Sequence, residues 1–217
     1  MAADVPELST GAWCAPFAAR LLRDATSRHV IVPFWSAHQL TLALLADERF
    51  GMRPAMRTFE VIADDSLGGE IVCALGESLG LTMRRIHTHG DPERLRDVAA
   101  WMRTPGPFFI AVDGGARYGT IPTGIIRLAA RMKSVLWPLA VRARPAVRIP
   151  GLVAEVPLPG ASGALGIGAP LEVDRGAPIG VAAEQLRMRL DAATRAADAL
   201  LVPPSERSSV AVSAGCR

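Results

Sequence analysis

The run Pro107–Met132, PFFIAVDGGARYGTIPTGIIRLAARM, decides how this chain is expected to fold. It opens on an apolar stretch, Pro107 to Val112. A glycine-rich turn follows, VDGGARYGTIPTG from Val112 to Gly124, and then an amphipathic stretch, Ile125 to Met132. The order is strand, polar loop carrying Asp113 and Arg117, then helix start. A loop at the carboxyl end of a buried strand is where open α/β sheets place their ligands. An arginine there is suited to hold a phosphate or a carboxylate.

Working outward, the same alternation recurs. Trp13, Phe17 and Leu21 repeat at helical spacing over Trp13–Asp24, which suits a helix packed on the domain or one lying in a membrane interface. His29–Phe34 reads as a strand, His38–Asp47 as a helix and Thr58–Ile62 as a second strand. Gly68–Leu79 is a helix stopped by Gly80, and Leu81–Ile86 a strand. After the polar turn His87–Asp91, Pro92–Met102 is a helix with Asp91 as N-cap. Phe108–Val112, Pro122–Lys133 and Val135–Ala143 continue the pattern, with Pro138 placing the last near an edge or bulge. Val147–Val156 and Ala164–Val173 are extended, and Gly163–Gly168 reads as a strand approached closely by other backbone. Val181–Leu201 is a long amphipathic helix. The prediction is one α/β domain over residues 1–202, a mixed and mostly parallel sheet flanked by helices, and a disordered tail over 203–217.

Composition narrows the function classes. The 217 residues suffice for one sizeable domain. Half are hydrophobic and the mean hydropathy is +0.25, yet no uninterrupted apolar run is long enough to span a bilayer. The net charge of +3 is mild, Lys133 is the only lysine, and no basic block interleaved with aromatics points to nucleic acid. The three cysteines are scattered, which argues against a disulfide framework or a zinc site and for a reducing compartment. No secretory signal opens the chain, so a cytoplasmic location is expected.

Candidate chemistry is sparse. His87 and His89 share a turn with Asp91 but lack further ligands at metal spacing, so no metal is expected. His29 reads as structural. His38 follows Phe34-Trp35-Ser36-Ala37 at the exit of a buried strand, where a general base would be useful. Asp64 and Asp65 follow the next strand, and Glu70 falls in the first turn of the next helix, where a carboxylate also favours the dipole. A triad drawn from Ser36, His38 and Asp65 lacks the G-x-S-x-G elbow of hydrolases. There is no dinucleotide fingerprint and no Walker A loop.

At this point the sequence resembles the lysophospholipid/glycerolipid acyltransferase superfamily, in a bacterial branch long described as a domain of unknown function. Phe34-Trp35-Ser36-Ala37-His38 resembles that branch's Phe-Trp-His-Gly-Arg block, and Ser66–Leu79 its Ser-Arg-Asp-Gly-Glu block and helix. Val112–Gly124 resembles its Asp-Gly-Pro-Arg-Gly loop, and Trp137–Val141 the strand that follows. The resemblance covers roughly residues 10–200. It implies transfer of a fatty acyl group from acyl-CoA or acyl carrier protein to a lysophospholipid-like hydroxyl, at the inner face of a membrane, without metal or redox cofactor. In the family a histidine deprotonates the hydroxyl and a carboxylate orients it. Aligned on the blocks, those two positions are Ser36 and Gly68 here, and neither residue can do that work. His38 with Asp65 (or Asp64) as its carboxylate is the displaced pair, provided residues 36 and 38 lie on a strand, where i and i+2 share a face. Otherwise the fold is kept and the reaction lost, leaving a lipid- or acyl-carrier-binding relative. Arg117 is the expected clamp on an acceptor phosphate, Asp113 and Gly114 shape the loop, and Trp35, Ser36, Glu70 and Gly124 line the site.

Overall fold

The computed structural model describes residues 20, 23–45, 60–86, 100, 107–113, 119–148 and 154–202. Strand β1 (Val30–Phe34) leads through a 3-10 turn (Ser36–His38) into helix α1 (Gln39–Leu45). Then come β2 (Glu60–Asp64), α2 (Leu67–Ser78), β3 (Thr82–Ile86), β4 (Pro107–Ala111), α3 (Thr123–Met132) and β5 (Val135–Leu136). The chain continues through β6 (Leu139–Arg148), β7 (Glu155–Ile167), β8 (Leu171–Glu172) and α4 (Ile179–Leu200). Six strands form one sheet in the order β3-β2-β4-β1-β5-β8, parallel except for β8, and β6 and β7 form a separate antiparallel ribbon. The expected α/β architecture is the observed one.

β1 is buried along its whole length because it is sandwiched. Val30, Val32 and Phe34 face one layer with Leu42, Phe109, Trp137, Val141 and Leu165. Ile31 and Trp35 face the other, with Phe108 of β4, Ile126 of α3, and Leu186 and Leu190 of α4. Alternate residues thus serve opposite cores, and both sets must be apolar. Pro33 is tolerated in this central strand for a local reason. His29 and Ile31 give their carbonyls to Val135 and Trp137, so Pro33 faces the same side, where β5 has already ended at Leu136. Its missing N–H has no neighbour to serve.

Several boundaries move from those expected. Pro138 divides the anticipated Val135–Ala143 strand into β5 and β6. The two late extended pieces become the β6–β7 ribbon and β8. The ribbon's register jumps from Arg144↔Ser162 to Ala146↔Pro157, so the residues between Pro157 and Ser162 bulge outward. The strand expected over Thr58–Ile62 runs on to Asp64, making Asp64 the last strand residue rather than part of the loop, and Thr58 and Phe59 lie outside the described residues. The close approach expected at Gly163–Gly168 is realised at Gly166, where an added Cβ would lie 1.9 Å from the Ala193 carbonyl oxygen of α4. Residues 23–27 are helical. They dock on the domain, with Trp137 Nε1 donating to Asp24 at 3.0 Å and the Arg20 guanidinium 5.1 Å from the Trp137 ring centre. The remainder of the expected first helix, most of Pro92–Met102 and the tail from Pro203 lie outside the described residues.

Candidate functional site

β1 and β4 are neighbours, but the connections from their carboxyl ends run over opposite faces of the sheet. The chain after β1 passes over β4 to β2 with α1 on the face of Val30 and Phe34, and the chain after β4 passes over β1 to β5 with α3 on the face of Ile31 and Trp35. The crevice between two such ends is the topological switch point, the usual ligand position in open α/β sheets. Ser36 and Asp113 meet there. The Ser36 backbone N–H donates to Asp113 Oδ1 at 2.6 Å, while Val112 N–H donates to the Phe34 carbonyl at 2.9 Å. Ser36 and Asp113 are both buried, and among the described residues neither Ser36 Oγ nor Asp113 Oδ2 makes a hydrogen bond of normal geometry. Burial pushes the Asp113 carboxyl above its ordinary range, against the opposing pull of the Ser36 backbone N–H, the nearby Ser36 hydroxyl and the backbone N–H groups of Asp113 and Gly119.

His38 occupies a different environment. Its amide donates to the Trp35 carbonyl at 2.9 Å, closing the 3-10 turn. In a helix of three residues per turn, positions i and i+2 are about 240° apart, so His38 does not share a face with Ser36. Its side chain is 0 % exposed, and neither Nδ1 nor Nε2 has a hydrogen-bond partner. Burial pushes its pKa down to about 3, helped by the positive charges of Arg142 and Arg148 and opposed by Asp198. The imidazole is therefore neutral at physiological pH and lies within the field of the β6–β7 ribbon.

The expected His38–Asp65 hydrogen bond is not formed. Asp65 is exposed in the bend after β2. That corner is organised by Asp64 instead. Asp64 accepts from the Ser66 hydroxyl and, at 3.2 Å, from the Ser66 amide, while Ser66 Oγ caps α2 by accepting from Gly69 N–H at 3.1 Å. Gly69 is required because an added Cβ would lie 2.0 Å from the Asp64 carbonyl oxygen. Glu70 is exposed and pairs with Arg85 of β3 at 3.6 Å, towards the sheet's edge and away from β1. Trp35 is a core residue with no exposed surface. Gly124 lies in the first turn of α3. Gly114 and Arg117 lie outside the described residues, as do His87 and His89. Among the described residues no group of three or more His, Cys, Asp and Glu is placed to hold a metal ion.

One feature was hidden from sequence reasoning. Arg142 of β6 bonds both Glu155 of β7 and Asp198 of α4, the latter at 2.9 Å, so one cation fastens the ribbon to the last helix. The signal available was an arginine in an otherwise apolar strand start, LAVR, but nothing in the sequence pairs it with an acid so far along the chain.

No protein-family model and no curated protein matches this chain. Among the described residues no helix is long and apolar enough to cross a membrane.

Proposed function

We propose that this chain is a relative of the glycerolipid acyltransferases that binds a lysophospholipid-like or acyl-carrier-borne ligand at the β1/β4 switch point without transferring the acyl group. The observation that carries this reading is His38: it has no exposed surface, its ring nitrogens are unpaired, and its turn directs it away from Ser36. A general base must reach the proton that it removes, and a group with a pKa near 3 is weak in that role at neutral pH. Beneath the switch point lie a hydroxyl and a carboxylate, Ser36 Oγ and Asp113 Oδ2, as buried as the imidazole, so a ligand reaches them only where the strand exits part. Together they suit a ligand hydroxyl that both accepts and donates.

Peripheral association with the inner face of a membrane belongs to the same reading. Leu67 is 75 % exposed and Ile71 41 %. Both lie in the first turns of α2, at the same end of the sheet as Ser36 and Asp113. Exposed apolar side chains beside a ligand crevice suit contact with a bilayer surface.

The second reading is acyl transfer from acyl-CoA or acyl carrier protein, with His38 as base, Asp65 as its carboxylate and Arg117 on the acceptor phosphate. The neutral, uncommitted imidazole favours it. Labelled acyl-CoA and acyl carrier protein, offered with a panel of lysophospholipids to the native protein and to His38→Ala, separate the two. We expect no turnover in either protein, with lysophospholipid binding that weakens in Asp113→Asn. Turnover lost in His38→Ala would establish transfer instead, and absence of both turnover and binding would reject both readings.

A further inference from the structure

A second cavity, of about 410 Å³, lies between α3 and the segment joining β8 to α4. β8 runs antiparallel to β5 with Val135 opposite Glu172, so Val173 and Asp174 lie at the amino end of the parallel strands. The Ser36–Asp113 crevice is at the carboxyl end. α3 starts at that carboxyl end with Thr123 and lines the cavity from Ile126 to Arg131.

The floor of this cavity is apolar, formed by Ile126, Val173 and Ile179, and its rim carries Arg127, Arg131 and Arg175. Arg127 and Arg131 stand one turn apart on α3, a like-charged i, i+4 pair, with Arg131 in the last turn where the helix dipole favours a cation. The helix, TGIIRLAARM, has no acidic residue. Among the described residues neither arginine forms an ion pair. Arg175 reaches across the opening and donates to the Arg131 carbonyl at 3.3 Å. Asp174 is the one acid on the rim, leaving three cations against one anion. The arginine-lined cavity of the ribbon, about 540 Å³, offers a contrast. There Arg142 and Arg148 are already bonded to Glu155, and Arg144 lies 3.7 Å from Asp198.

We propose that the α3 cavity is a second ligand site, for a phosphate monoester bearing an apolar substituent. Guanidinium forks bind phosphate oxygens in pairs. The rim's net charge of two matches a phosphate dianion better than it matches a single carboxylate. The apolar floor takes the substituent. The same chemistry is presented by a soluble alkyl phosphate and by the headgroup of phosphatidic acid in a membrane.

The test is calorimetric titration of the native protein with hexyl phosphate and with inorganic phosphate. Two matched double variants accompany it: Arg127→Gln/Arg131→Gln, and Arg144→Gln/Arg148→Gln on the ribbon. Hexyl phosphate is expected to bind more tightly than inorganic phosphate. Its affinity should fall by about tenfold or more in the α3 variant, equivalent to ~1.4 kcal/mol, and by less than about twofold in the ribbon variant. Arg175→Gln, outside the helix, should weaken binding too, which keeps the test decisive if the α3 variant melts early. Co-sedimentation with phosphatidylcholine vesicles containing phosphatidic acid, abolished in the α3 variant, assigns the membrane headgroup as the source. Hexyl phosphate binding without co-sedimentation assigns a soluble ester. Equal losses in the two double variants, undiminished binding in both the α3 variant and Arg175→Gln, or no binding of hexyl phosphate at all, would overturn the proposal.

Discussion

Replacing His38 with leucine tests the description of the β1 exit through the protein's response to acid. In the folded chain the imidazole stays neutral down to about pH 3, because burial and the Arg142 charge oppose its protonation. In the unfolded chain it takes up a proton near its ordinary value of 6.5. The unfolded state therefore binds more protons between those limits. His38 contributes its full stability above pH 6.5, and that contribution is lost as the pH falls towards 3. Each pH unit inside the window is worth about 1.4 kcal/mol. Between pH 7 and pH 5 the loss from this one residue comes to about 2 kcal/mol, or ~4–8 °C in melting temperature for a domain of this size. Leucine has a similar volume and no proton to bind, so His38→Leu removes this part of the acid sensitivity. At pH 7 the variant also sheds a buried N–H without an acceptor, a group that costs about 1–3 kcal/mol when left unpaired, so it should be at least as stable as the native protein. Thermal melts of both proteins at half-unit steps from pH 7.5 to pH 4.5 give the difference curve directly. Parallel curves, or a variant much less stable at pH 7, would refute the burial and the unpaired state of the imidazole. Contributions from other carboxylates cancel in the difference.

Two further outcomes follow from contacts elsewhere. Gly166→Ala should destabilise the chain by about 3 kcal/mol or more, because its Cβ would strike the backbone of α4 rather than a side chain able to swing aside; denaturant unfolding that loses less than about 1 kcal/mol would show that α4 sits farther from β7. Asp113→Ala should cost about 1–3 kcal/mol by leaving the buried Ser36 N–H without its acceptor, whereas Asp113→Asn, which keeps an acceptor oxygen, should cost less. Equal losses in these two variants would refute the hydrogen bond as the reason.

The parts of the fold legible in the sequence are those governed by local pattern. β1 and β4 announce themselves as short apolar runs, α2 by its apolar spacing and the Gly80 stop, and α4 by its apolar stripe. The β6–β7 ribbon was only half legible. Its residues are plainly extended, but their pairing depends on a register jump around Pro145 that no period in the sequence encodes. For the site, position was legible and direction was not. Ser36, His38 and Asp113 all lie at the strand exits expected for them, at the carboxyl ends of β1 and β4. Whether His38 shares a face with Ser36 turns on the dihedral angles of three residues, and an apolar-polar pattern over Trp35–His38 fits a strand end and a helical turn equally well. The arginine cavity of α3 escaped notice for a related reason. Arg127 and Arg131 read as the solvated face of an amphipathic helix until Arg175 is brought across from another part of the chain.

The turn at the β1 exit links these findings. Two hydrogen bonds fix its path: Ser36 N–H to Asp113 and His38 N–H to the Trp35 carbonyl. A third restraint is Trp35, whose indole is held with no exposed surface in the core beneath α3 and α4. To bring His38 onto the face of Ser36, residues 35–38 would have to become extended. That change breaks the 3-10 hydrogen bond and rotates Ser36 away from Asp113, leaving buried donors unpaired at about 1–3 kcal/mol each. It would also carry the imidazole out of its buried site, and with it out of the field of Arg142 and Arg148, and so raise its basicity. The two effects are tied: the geometry that withholds His38 from the crevice is the one that keeps it a weak base. A ligand that turned this chain into an acyltransferase would have to favour the extended exit by several kcal/mol over the folded turn, since a ligand shifts an equilibrium only by its differential affinity for the two states. A ligand held by Ser36 and Asp113 together would favour the opposite state, because Ser36 N–H bonds Asp113 in the closed turn.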